Sequence, residues 1–153
     1  EKIYIQTPYF IPDEVMLSVL NVARMSGVEI NVMIPLVPDK KFVYMATLSY
    51  VKELLNMGNN VNVYLYNGFI HSKVVMIDDK VVSIGTCNFD NRSFELNFEI
   101  NAFLYGEEAS KQNIAIFEND ISNSKKIDKG YFRRKIWYSK LAQAFFRLFS
   151  PLL

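Results

Sequence analysis

The sequence predicts an α/β fold, an α/β/α sandwich around a mixed β-sheet. Short β-branched runs alternate with longer segments of helical periodicity over the first sixty residues. A strand–turn–strand pattern with no intervening helix then follows. Glycine, proline, Asn and Asp fall between these segments, where turns and helix ends need them. Alternating β-α-β passing into a meander is the pattern of helices packed on a sheet of mixed direction.

Residues 3–6 read as a short strand, ended by Thr7-Pro8 and a loop over 9–12. Asp13 is placed to cap a helix that turns Met16, Val19, Leu20 and Ala23 inward and stops at Gly27. Residues 28–34 form the next strand and 35–39 a loop. A second helix runs from about Lys41 to Met57, with Gly58 as its stop. The strand Val61–Tyr66 follows, and the Asn67-Gly68 turn leads into a strand carrying His71. Residues 73–78 and 81–85 make a hairpin about Asp78-Asp79-Lys80. A loop over 88–96, a strand over 98–105, a helix over Glu107–Ser122 and a linker over 123–129 complete the body.

At 153 residues the chain fits one domain, and a composition that is half hydrophobic suits a substantial core. No run approaches the roughly 20 apolar residues of a membrane-spanning helix. The start at Glu1, almost directly in a strand, reads as a fragment or a processed piece. Cys87 is the sole cysteine, so no internal disulfide forms, which fits a reducing compartment. Charge divides the chain at residue 128. Residues 1–128 hold eleven Lys/Arg against sixteen Asp/Glu, whereas 129–153 hold six Lys/Arg and no acid. The expected organisation is therefore an acidic body over 1–128 and a basic amphipathic helix over 129–153. Trp137, Leu141, Ala144, Phe145, Leu148 and Phe149 share one face of that helix, and Lys140, Gln143 and Arg147 the other. Such a helix anchors to anionic lipid or caps the core; nucleic-acid contact is a third reading, disfavoured by the acidic body.

Chemistry concentrates around the single histidine. His71-Ser72-Lys73 is followed by Asp78 and then by Gly85-Thr86-Cys87-Asn88, giving H-x-K-x4-D-x6-G-T-x-N. Positions i and i+2 of a strand share a face, so His71 and Lys73 project together. The hairpin return brings Gly85, Thr86 and Asn88 back beside them. Glycine admits close backbone approach, a hydroxyl and an amide can hydrogen-bond phosphate oxygens, and Lys73 supplies a point charge for them. Asp78 has odd parity from His71 and takes an orienting or structural role. Glu99, within an apolar run, would need a partner if buried, and an imidazole N–H would serve while fixing the tautomer. No His/Cys/carboxylate cluster with metal-ligand spacing is present.

This spacing resembles that of the phospholipase D superfamily. Further stretches, Thr7-Pro8-Tyr9-Phe10-Ile11-Pro12-Asp13, Val43-Tyr44 with Ser49-Tyr50, Asp90-Asn91-Arg92-Ser93-Phe94, Leu96-Asn97-Phe98-Glu99 and the terminal Leu148-Phe149-Ser150-Pro151-Leu152-Leu153, are similar to the C-terminal half of bacterial cardiolipin synthases. Thr86 stands where serine is commoner, and Cys87 where alanine is frequent. The resemblance implies one lobe of a phospholipase D-like fold and a transfer between two phosphatidylglycerol molecules giving cardiolipin and glycerol. It implies a phosphohistidine intermediate with no metal or cofactor, and catalytic roles for His71, Lys73, Asp78 and Glu99. His71 is the acid/base, and Lys73, Thr86 and Asn88 hold the phosphoryl oxygens. It also implies an anionic phospholipid partner at the bacterial cell membrane, with the lobe on the cytoplasmic side. One histidine cannot be both nucleophile and acid, so a missing N-terminal lobe or a second copy about a two-fold axis must supply the other. The late-half motifs favour the missing lobe. A homodimeric phosphodiesterase or nuclease and a non-catalytic phosphate-binding membrane module are the alternatives.

Overall fold

The computed structural model describes residues 1–133 and 145–148. Strand β1 (Lys2–Gln6) is followed by the two-residue strand β2 (Phe10–Ile11) and helix α1 (Glu14–Met25). Asp13 caps α1, its carboxylate accepting the Met16 N–H at 2.6 Å. Gly27, at φ 90°, turns the chain after that helix, a conformation that a residue with a Cβ adopts only under strain. Next come β3 (Glu29–Pro35), α2 (Lys41–Met57) and β4 (Val61–Tyr66). The hairpin is β5 (Val74–Ile77) and β6 (Val81–Gly85). It leads to β7 (Phe89–Asp90), the short helix α3 (Asn91–Glu95) and β8 (Asn101–Tyr105). Helix α4 (Glu107–Ser122), strand β9 (Ser124–Ile127) and helix α5 (Lys129–Arg133) follow.

Seven strands form one mixed sheet in the order β8-β6-β5-β1-β3-β4-β9, and β2 pairs with β7 in a separate ladder. Strands β1, β3 and β4 are parallel; β5, β6, β8 and β9 join antiparallel. Ile5, Ile30, Val32, Ile34, Val63 and Leu65 pack on one face against Leu17 and Leu20 of α1 and Leu48, Val51 and Leu54 of α2. Tyr4, Met33, Tyr64, Met76 and Val82 pack on the other face against Phe117 of α4. Helices therefore cover both faces, as an α/β/α sandwich requires.

Several local expectations change. The strand expected to carry His71 begins only at Val74, so His71 and Lys73 sit in the segment before it. Val19 is 56% exposed, and Leu17 and Leu20 carry the inner face of α1 instead. The strand expected over 98–105 begins only at Asn101, because Phe98 and Ile100 face outward and find no ladder. The loop over 88–96 contains β7 and α3. The linker over 123–129 contains β9, which pairs with β4 and buries Ile127. Residue 132, beyond the charge boundary, buries Phe132 in the core shared with α2. Most of the expected basic helix, Trp137 to Ala144 and Phe149 onward, lies outside the described residues. At 145–148 the Phe146 ring lies 6.5 Å from Phe42, and Arg147 lies 4.5 Å from the Tyr50 ring and pairs with Glu53.

Candidate active site at the sheet edge

The parallel strands β1, β3 and β4 all end at one edge of the sheet. Because β5 runs antiparallel to β1, with Gln6 opposite Val74, the segment entering β5 begins at that edge as well. His71 and Lys73 occupy this entry segment, just ahead of the strand. The return strand β6 ends there, its last residue Gly85 donating its N–H to the Lys73 carbonyl at 3.2 Å. In open sheets containing parallel strands, ligands bind outside these carboxyl ends.

Gly85 is required by close approach. A Cβ there would overlap the Ile100 carbonyl and the Asn101 side chain, so any larger residue would push β8 away. Thr86 and residue 100 are bound both ways: the Thr86 N–H donates to the Ile100 carbonyl and the Ile100 N–H to the Thr86 hydroxyl, each at 3.0 Å. The hydroxyl thus anchors the entry to β8.

Lys73 is half-buried, and its ammonium donates to the His71 carbonyl at 2.7 Å. Burial lowers its pKa, while the charges of Glu99, Asp39 and Asp90, in that order, act the other way. The exposed His71 ring stacks on Phe69 at 5.6 Å. Asn88 donates to the Ser93 hydroxyl at 3.2 Å, and its amide oxygen is buried without a partner. Asp90 caps α3 by accepting the Ser93 N–H at 2.7 Å, and its burial raises its pKa.

The expected site residues therefore divide. His71, Lys73, Thr86, Asn88 and Glu99 share the edge. Asp78 stands at the far end of β5, in the hairpin turn at φ 51°, and accepts the Lys2 N–H at 2.7 Å. That bond fastens β5 to β1 and holds the carboxyl below the usual range. Glu99 is held low chiefly by the Thr86 hydroxyl and accepts the Asn97 amide at 3.0 Å. No hydrogen bond joins it to His71 among the described residues. The apolar run around Glu99 lies on the surface, so the carboxylate is not buried as expected.

The site also gathers residues that the motif did not name. Thr7 donates to the Tyr9 carbonyl at 2.8 Å and accepts the Phe89 N–H at 3.2 Å, tying the loop after β1 to the Asn88 segment. The Tyr9 hydroxyl donates to Asp39, after β3, at 2.5 Å. Beside them, Leu36, Val37, Phe42 and Phe69 expose apolar surface. The two loops of this lip are joined where Leu36 and Val37 donate their N–H groups to Tyr66 and Gly68 at 2.8 and 3.1 Å.

Residues 1–121 match the family model described as "Cardiolipin synthase, PLD-like domain". The chain belongs to that family. It is 50% identical to cardiolipin synthase 1 of Staphylococcus epidermidis over its whole length, and 47% identical over 99% of it to the major cardiolipin synthase ClsA of Bacillus subtilis. In each case it spans only 31% of the relative. Among solved structures, the fold resembles phosphatidylserine synthase of Haemophilus influenzae, with TM-score 0.72 and 18% identity over 99% of this chain and 40% of that one. It also resembles Nuc of Salmonella typhimurium, a phospholipase D family member, with TM-score 0.67 and 18% identity over 83% of this chain and 82% of that one. These likenesses establish the fold. Within the cardiolipin synthase PLD-like family, the edge bearing His71 and Lys73 is the candidate phosphoryl-transfer centre.

Proposed function

We propose that residues 1–128 form one catalytic lobe of a phosphatidyltransferase and supply half of its active site. The observation that supports this reading is the placement of His71 and Lys73, ahead of β5, and of Asn88, just beyond β6, at one end of the sheet beside an exposed apolar lip. The reaction joins two phosphatidylglycerol molecules into cardiolipin and glycerol. A histidine from a second lobe attacks phosphorus, forming a P–N bond as the P–O bond to glycerol breaks. His71 gives its proton to the departing glycerol oxygen. It then takes the proton of the second phosphatidylglycerol's hydroxyl, which attacks phosphorus as the P–N bond breaks. Lys73 and Asn88 stabilise the charge on the phosphoryl oxygens. Among the described residues the amide oxygen of Asn88 is enclosed without a partner, and with the amide turned over Ser93 would donate to it. Asp78 acts at a distance, by fixing β5 on β1, and Glu99 and Thr86 shape the wall.

The partner we assign is a second lobe of the same fold, in the same polypeptide or in a second copy. The face of β5, β6 and β8 that the described residues leave uncovered, with Phe94 exposed near the site and Phe103 and Ile77 further along it, suits it. We place the lobe at the cytoplasmic face of a bacterial membrane, with the apolar lip toward lipid and residues 129–153 as its basic attachment. The lip favours a lipid over a polynucleotide, and so does the acidic body. Mass spectrometry of products from phosphatidylglycerol vesicles tests this, using the intact protein that carries this chain and its His71→Ala variant. Cardiolipin formed by the parent and lost in the variant supports the reading; phosphatidate as the sole product replaces it with a hydrolase.

A further inference from the structure

We infer that Tyr9 and Asp39 form a hydroxyl-binding subsite that seats the polyol headgroup beside the transfer centre; this rests on the phosphatidyl transfer proposed above. Strands β5, β1 and β3 are consecutive in the sheet. The segment entering β5 and the loops leaving β1 and β3 therefore stand side by side at one edge, carrying Lys73, Tyr9 and Asp39 in that order.

Asp39 lies one residue before the Lys40 N-cap of the seventeen-residue helix α2, whose start has no side-chain cap. Its carboxylate stands outside the capping position and is not engaged by the first turn. Oδ2 accepts the Tyr9 hydroxyl at 2.5 Å, and among the described residues no donor is placed on Oδ1 of the exposed carboxylate. Tyr9 is itself fixed, through its carbonyl on Thr7 and the Lys40 ammonium 5.9 Å from its ring.

An exposed carboxylate beside a site for an anionic phosphodiester repels that substrate unless it binds a donor on it. A neutral polyol offers hydroxyls to both Asp39 Oδ1 and the lone pairs of the Tyr9 oxygen. A cationic headgroup would meet Lys40, already placed over Tyr9. Among the described residues no three carboxylate, histidine or cysteine groups converge to hold a metal, so Asp39 is not part of such a cluster.

The test uses the intact enzyme with phosphatidylglycerol vesicles and three acceptors in competition: isotopically labelled glycerol, propan-1-ol and ethanolamine. The parent should prefer glycerol. Asp39→Asn and Tyr9→Phe should each lower the ratio of glycerol product to propanol product by about tenfold, the worth of one good hydrogen bond to a charged group. Tyr9→Phe keeps the ring packing and guards against a folding defect in the other variant. Equal loss of both products, with the ratio within twofold of the parent, would reduce the pair to a loop fastener and overturn the subsite. A parent preferring ethanolamine would overturn the polyol assignment while leaving phosphatidyl transfer intact. A parent that transfers to no alcohol would sink the proposed reaction and the subsite together.

Discussion

Strands β1, β3 and β4 are covered by helices on both faces, whereas β5, β6 and β8 are covered by α4 on one face and, among the described residues, open on the other. In the covered half, apolar side chains such as Ile30, Val32, Ile34 and Leu65 are completely enclosed. In the open half, Ile77, Phe94 and Phe103 remain exposed, and a groove of about 530 Å³ runs down that face to Cys87, Ser93 and Glu99. The same kind of sequence, rich in β-branched and aromatic residues, thus makes a core in one place and a surface in the other. A contiguous exposed apolar face bordering a site marks a place where something else packs. The covered half holds the fold; the open half leaves an apolar face beside the candidate site, where the proposed second lobe would pack. His71 and Lys73 lie at the seam, in the segment that leads into the first strand of the open half.

The comparison breaks most visibly at the chemistry. His71→Ala should lower transfer by about 10²–10⁴-fold, the usual worth of a general acid/base. Its ring is exposed, so the melting temperature should hardly move; a large fall in stability would mean that the histidine is structural. In the covered half, Leu54→Ala removes a wholly buried side chain from α2 and should cost about 2–5 kcal/mol in a denaturant titration. At the seam, Gly85→Ala drives a methyl into Ile100 and Asn101 and should cost about 1–3 kcal/mol, with transfer falling as β8 and Glu99 shift. On the open face, Phe103→Ser should change the stability of the lobe by less than about 0.5 kcal/mol. It should weaken pairing of the lobes in sedimentation analysis. A loss as large as that of Leu54→Ala would show that the open face is core after all.

The smallest effect is the pH response of Asp78. Its carboxyl is held low chiefly by the Lys2 N–H. The stability it contributes is therefore present above the ordinary carboxylate range, about pH 4, and is lost as pH falls through its depressed value. Asp78→Asn should flatten that part of the melting-temperature profile and lower the neutral plateau slightly, so that the two proteins converge as pH falls.

Much of this was legible in the sequence where local signals were strong. Helices α2 and α4 run over the residues that their periodicity and flanking glycines predict, and Asp13 caps α1 as its place before an apolar repeat demands. Strand β9 was hidden because Lys125 and Lys126 make an edge strand read as a linker; only its pairing with β4 reveals it. The β2–β7 ladder is two residues long and exists only because distant loops meet. Val19 and the run around Glu99 misled for a shared reason: apolar residues imply burial only when the molecule itself supplies the cover. The motif put His71 and Lys73 on one strand face, but β5 begins only at Val74; the hairpin pairing brings Lys73 beside Gly85. Tyr9 and Asp39, thirty residues apart, meet through parallel pairing of β1 with β3, which no spacing rule encodes.

The most direct test of the half-site is the transfer activity of this 153-residue chain by itself, shown by light scattering to be monomeric. The expected result is no cardiolipin from phosphatidylglycerol vesicles, with activity appearing when a lobe bearing a second histidine–lysine motif is added. Robust cardiolipin synthesis by the isolated monomer would contradict it, since one imidazole would then be serving as both nucleophile and acid.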